Sequence, residues 1–286
     1  MRRNVKTLYV SDLDGTLLNS ESRVSEVSRE MLNRAIAEGA LFTVATARTP
    51  ATVSKLLEGV DLTLPAIVMT GAALWDKASG HYSDVRHIPE DTARAILNTL
   101  IDNHVSSFIY SLSDDIIRVN HTGEMSPLEA EFIAQRIGNP FKKLEISTDS
   151  PDRTPDDMSR VVLFFAMQPT ELIRPAAEKI RGLDVVANFY HDSFGPEIAI
   201  LETFAPGTTK AAAIRRLADR LGAERVVAFG DNVNDLPMLA EADVAVAVAN
   251  AIDEVKRQAD VVVGSNDSDA VARFILDDIT ANTLKS

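Results

Sequence analysis

What most constrains the fold is a rhythm that runs at both ends of the chain. Short apolar segments of strand length alternate there with amphipathic segments of helical period. Residues 7–10 (TLYV) read as a strand. Val24, Val27, Met31, Leu32, Ala35 and Ile36 then recur at three- and four-residue spacing, a helix closed by Gly39. Residues 41–45 (LFTVA) form the next strand, Thr49-Pro50 suits an N-cap with proline at the first helical position, and 66–69 (AIVM) form a third strand. The last third repeats the pattern. Ile214, Leu217, Ala218 and Leu221 make a helical stripe before Gly222, and 226–229, 244–248 and 261–263 read as buried strands separated by helical segments. Strands alternating with helices predict βαβ units and a parallel sheet, hence a doubly wound (Rossmann-like) α/β core.

The middle of the chain breaks this rhythm. From about residue 85 to 202 the connections are longer and more polar. Turn residues cluster at 147–157, and 161–167 (VVLFFAM) form a strand. The reading is an inserted α+β domain, giving a first core part at 1–84, the insertion at 85–203 and a second core part at 204–286.

Composition narrows the function. A net charge of -13 over 286 residues lacks the basic footprint that nucleic acid or an anionic membrane surface requires. Without cysteine there are no disulfides, thiolate metal sites or cysteine nucleophiles. No apolar run approaches the ~18 residues of a membrane span. The basic start, MRRNVK, leads into a short strand rather than a signal peptide's apolar segment. A cytoplasmic protein is expected, with its oligomeric state left open.

Chemistry enters with two acidic clusters. Asp12 and Asp14 end the first strand, and in extended chain residues i and i+2 point the same way. Asp231 and Asp235 follow the strand at 226–229. If both strands share one parallel sheet, these carboxylates meet at the carboxyl edge, where open α/β sheets bind ligands. Repelling carboxylates need a cation to hold them, and a hard divalent ion with oxygen ligands, Mg²⁺, suits them. Thr46 also lies at a strand's end. Lys210 sits near the start of a helix, where cation and helix N-terminus together favour an anion. The GTTK segment around it is not a Walker A loop. The five scattered histidines are expected at surface or packing positions, and Ser113 to Asp115 and the pair Asp277-Asp278 on solvated faces. Arg48 is expected at the surface, with contact to a substrate's phosphate as the alternative, and Trp75, Phe164 and Phe165 in the core.

The order D-x-D-G-T (12–16), Thr46, Lys210 and G-D-x-x-N-D (230–235) resembles the haloacid dehalogenase (HAD) superfamily of phosphatases. The long insertion between Thr46 and Lys210, with PGTTKAAAI, GDNVNDLPML and VAVANA, is similar to its Cof-type branch, whose α/β cap occupies that position. Residue by residue, the resemblance implies that Asp12 attacks phosphorus and forms an aspartyl-phosphate. Asp14 protonates the leaving alcohol and then activates water. It also implies Mg²⁺ on Asp12, Asp231 and the main-chain carbonyl of Asp14. Phosphoryl oxygens would lie on Thr46, Lys210, Asn234 and the N–H groups of Leu13 and Ala47, with Asp235 orienting Lys210 or a water. Ala47, Ala211 and Thr70 stand where the family often has Gly, Gly and Asn. The substrate implied is a small phosphorylated metabolite, sugar phosphates first. A phosphomutase using the same aspartyl-phosphate, or a silent phosphometabolite-binding protein, is the alternative.

Overall fold

In the computed structural model, residues 5–134, 138, 142–144, 154–191 and 197–283 are described. The chain divides into two compact units, Met1–Ser83 with Thr209–Ser286, and Asp84–Thr208.

The first unit holds strands β1 (Thr7–Ser11), β2 (Leu41–Val44), β3 (Ala66–Val68), β4 (Ala73–Trp75) and β5 (Tyr82–Ser83), with helices α1 (Glu26–Ala37) and α2 (Pro50–Leu56) between them. The second unit carries α3 (Glu90–Asp102), β6 (Ser107–Ser113), β7 (Ile116–Thr122), α4 (Pro127–Ala134) and β8 (Lys142–Leu144). It continues with β9 (Val161–Pro169), α5 (Thr170–Ile180), β10 (Val186–His191) and β11 (Ile198–Phe204). The chain then completes the first unit with α6 (Lys210–Leu221), β12 (Arg225–Gly230), α7 (Leu236–Ala240), β13 (Val244–Ala247), α8 (Asp253–Gln258), β14 (Val261–Val262) and α9 (Ala270–Thr283).

A five-stranded parallel sheet, in the order β14-β13-β12-β1-β2, is the frame of the first unit. Every residue of β1 is buried, as a strand covered on both faces requires. Leu8 and Val10 pack with Ile214, Leu217 and Met238 on one side. Tyr9 points the other way and donates to Asp278 of α9 at 2.6 Å. Side-chain alternation along one strand thus anchors helices on opposite faces. Burial and the Asp278 carboxylate both raise the Tyr9 phenol far above its ordinary value.

Three expectations change in this unit. Residues 66–69 do not continue the parallel sheet. Ile67 touches it through one bridge to Ala45, and β3 instead pairs antiparallel with β4. The reason is a left-handed turn at Met69, Thr70 and Gly71; a Cβ on Gly71 would lie 2.4 Å from the carbonyl oxygen of Thr209. The run at 261–263 reads as buried, yet Val262 is 51% exposed, because β14 is the sheet's edge with a single neighbour. Asp278 is not solvated either, since it also accepts from Arg225 Nη1 at 2.6 Å.

The second unit is built on a six-stranded sheet, β10-β11-β9-β6-β7-β8, antiparallel except for the β7–β8 pair. Ile96 and Leu100 of α3 and Ile173 and Ile180 of α5 pack on Ile109, Phe164 and Leu201. Phe165, of opposite pleat to Phe164, stacks on Phe132 of α4 at 5.1 Å between ring centres. His121 is buried beside the carboxylate of Glu129. The expected inner boundary after residue 203 falls within β11, whose ladder with β10 reaches Phe204. Residues 147–153 of the expected turn cluster lie outside the described residues. No described helix is long and apolar enough to cross a membrane.

Candidate active site

The site grows from the ladder between β1 and β12. Ser11 stands beside Phe229, and the next amide, Asp12 N–H, still donates to the Phe229 carbonyl at 3.0 Å. The ladder therefore delivers Asp12 and Asp231 from neighbouring parallel strands to one edge. Lys210, the first residue of α6, comes to the same edge and lies between Asp12 and Asp235. Its Nζ lies 2.5 Å from Asp12 Oδ1 and 2.8 Å from Asp235 Oδ1. Thr209 caps that helix by accepting from Ala212 N–H at 3.0 Å, which fixes where Lys210 begins.

Asp12, Lys210 and Asp235 are all buried. Oxygens of Asp12, Asp231 and Asp235 lie within 4.8 Å of one another. Three carboxylates against one ammonium leave two negative charges. Burial raises Asp12 to about 7; Lys210 opposes the rise, and Asp235 and Asp231 add to it. Burial also raises Asp231, with Asp235 adding and a hydrogen bond from Thr16 Oγ1 at 2.9 Å opposing. Burial works against the ammonium of Lys210, yet Asp12 and Asp235 outweigh it and hold it above the usual lysine range.

The oxygens divide their work. Asp235 gives Oδ1 to Lys210 and Oδ2 to the N–H groups of Asp231 and Asn232, at 3.1 and 3.3 Å. Asp12 and Asp231 spend Oδ1 on Lys210 and Thr16 respectively, and each keeps a second oxygen. This donor set, hard oxygens with surplus negative charge, fits a divalent cation such as Mg²⁺.

Asp14 is placed differently. The turn through Gly15, at φ +74°, leaves Asp14 exposed while Asp12 is buried. Its two oxygens accept from Arg48 Nε and Nη2, both at 2.7 Å. The pairing holds the Arg48 guanidinium more firmly charged. Thr46 is buried two residues past β2, its hydroxyl accepting from Arg48 N–H at 3.1 Å. Ala47, between them, is exposed; so is Asn234, in the turn Val233–Asp235. Leu13 has a buried side chain. The geometry thus gathers Asp12, Asp231, Asp235 and Lys210 tightly, and sets Asp14 apart with Arg48. Sequence reasoning left Arg48 at the surface and passed over Thr16; the position of Arg48 two residues after Thr46 was the available signal.

Residues 9–275 match the family of haloacid dehalogenase-like hydrolases. The chain belongs to that family. It falls in the Cof-type branch of its phosphatases, with an inserted cap unit. The hydrolase is 31% identical to the 5-amino-6-(5-phospho-D-ribitylamino)uracil phosphatase YwtE of Bacillus subtilis, over 92% of this chain and 95% of the relative. It is 27% identical to the pyridoxal phosphate phosphatase YbhA of Escherichia coli, over 92% and 95% of the two chains. In fold it is similar to a haloacid dehalogenase-like hydrolase from Bacteroides thetaiotaomicron, with a TM-score of 0.73, 24% identity and coverage of 94% and 98%.

Proposed function

We propose that this hydrolase removes phosphate from small phosphorylated metabolites, sugar phosphates foremost, with Mg²⁺ bound and with Asp12 as the group that is phosphorylated. The observation that carries the reading is the buried Asp12–Lys210–Asp235 cluster, with the Asp231 carboxylate beside it at the edge of one parallel sheet. Two curated relatives are phosphatases named for small phosphorylated metabolites, which supports the substrate class.

In this reading an oxygen of Asp12 forms a bond to phosphorus as the bond from phosphorus to the leaving alcohol breaks. Asp14, exposed and two residues along, gives a proton to that alcohol. It then takes one from the water that cleaves the aspartyl-phosphate. Lys210 orients Asp12 and places positive charge beside the phosphoryl oxygens. Asp235 fixes Lys210 from behind. The hydroxyl of Thr46, the amide of Asn234 and the N–H groups of Leu13 and Ala47 hold the remaining phosphoryl oxygens. Positioning and charge stabilisation of this kind are most of what phosphoryl transfer asks of a protein. Oxygens of Asp12 and Asp231 and the main-chain carbonyl of Asp14 would hold Mg²⁺, which supplies Lewis-acid charge when bound.

The test is inorganic phosphate release from sugar phosphates, ribityl and pyridoxal phosphates, nucleotides and an aryl phosphate, with Mg²⁺ and with chelator. Release that needs the metal and vanishes in Asp12→Asn, while that variant melts like the parent, is expected. Substantial turnover by Asp12→Asn would overturn the assignment of Asp12. Phosphate moved within a sugar phosphate without release would point to a mutase.

A further inference from the structure

The loops after β13 and β14 bind the two acid-bearing turns together, and one side chain stands at the junction. Asn250 Nδ2 donates to the Gly15 carbonyl at 2.7 Å. Its Oδ1 accepts from Asn266 N–H at 2.9 Å, which fixes which way round the amide lies. Two residues on, Ile252 N–H donates to the Asp231 carbonyl at 3.0 Å. A single short stretch, 250–252, therefore grips both the turn that follows Asp14 and the backbone of Asp231. Asn266 extends the grip through Nδ2 to the Leu18 carbonyl at 2.9 Å.

The spacing being held is tight. A Cβ on Gly15 would lie 2.5 Å from Asp231 Oδ2, so the backbone of this turn rests directly on the carboxylate. The Gly15 carbonyl is the next along the chain from that of Asp14. It belongs to the following peptide, joined to that of Asp14 at the Gly15 Cα, so tethering it restrains the turn from which Asp14 is presented.

We infer that Asn250 is a positioning residue: it ties the turn of Asp14 and Gly15 to the loop of Asp231 and so sets the spacing of the oxygens offered to a divalent cation. The inference rests on the Mg²⁺-dependent reading above. Partners that orient metal ligands commonly change metal affinity about 10- to 100-fold when removed.

Asn250→Ala removes both hydrogen bonds. Asn250→Asp keeps the acceptor for Asn266 N–H but turns an oxygen toward the Gly15 carbonyl. Calorimetric titration of the resting protein with Mg²⁺ should weaken about tenfold in both variants. The Mg²⁺ concentration for half-maximal phosphate release should rise by the same factor, with substrate KM at saturating Mg²⁺ little changed. If both variants bind Mg²⁺ as the parent does, the inference falls. If only Asn250→Ala is impaired, the contact with Asn266 carries the effect and the inference also falls. A parent protein that binds no Mg²⁺ would instead sink the functional reading itself, so the two failures are distinct.

Discussion

Lys210 shows what a single residue can decide. Its ammonium is buried between Asp12 and Asp235, which are themselves buried. Replacing it with methionine keeps the bulk and removes the charge, leaving two buried carboxylates face to face. Breaking a buried pair from one side costs about 3–5 kcal/mol. Lys210→Met should therefore lower the urea midpoint sharply at neutral pH and abolish phosphate release. A variant as stable as the parent would mean that the cluster is better hydrated than its burial indicates. The contrast with Asp14 and Arg48 is instructive. That pair is bidentate but substantially exposed, and exposed pairs contribute little to stability. What the pair does is fix the direction of the Asp14 carboxylate, both of whose oxygens accept from Arg48.

At the scale of elements, the site depends on where helices and strands stop. β1 and β12 end within one residue of Asp12 and Asp231, and α6 begins at Lys210. The Thr209 cap sets that beginning. Thr209→Ala loses the bond to Ala212 N–H and should cost about 0.5–2 kcal/mol, read as a lower melting temperature. Turnover should fall more than that loss of folded protein explains, because Lys210 rides on the first turn of the same helix. Thr209→Ser, which keeps the capping oxygen, should restore both quantities. Failure of serine to restore them would count against the cap as the cause. The expected strands and helices of the flanks were largely legible in the sequence, since periodicity is local. The antiparallel turn at 69–71 was not, because it depends on left-handed backbone at Met69 and Thr70, residues that carry no such signal.

Across the whole molecule, stability should respond to pH through a group on the sheet of the second unit. Glu202 is buried on β11, opposite Asn188 of β10. Burial raises its carboxyl to about 7, against hydrogen bonds from Asn188 and Tyr190. The unfolded chain releases this proton at an ordinary glutamate value, about 4.3. Between those values the fold holds a proton that the unfolded chain has lost. The stabilisation is complete at acid pH and is lost as pH rises toward and through about 7. Glu202→Gln should flatten that fall and melt higher than the parent at pH 8. Equal pH dependence in the two proteins, measured by thermal melts from pH 5 to 8, would show that Glu202 is not the responsible group.

The sequence by itself determined the class of fold and the kind of chemistry. Alternating periodicities of two and 3.6 specify strands and helices locally, and Asp12, Thr46 and Asp231 each announce themselves at the end of an apolar run. Tertiary structure decided which of these residues meet. β12 pairs with β1 although more than two hundred residues separate them, and that adjacency alone brings Asp231 to Asp12. It also buried Asp12 while turning Asp14 out to Arg48, made β14 an exposed edge, and drew Asp278 to Tyr9 and Arg225. Sheet order and the burial it imposes arise from long-range packing, which the spacing of apolar residues along a chain does not encode.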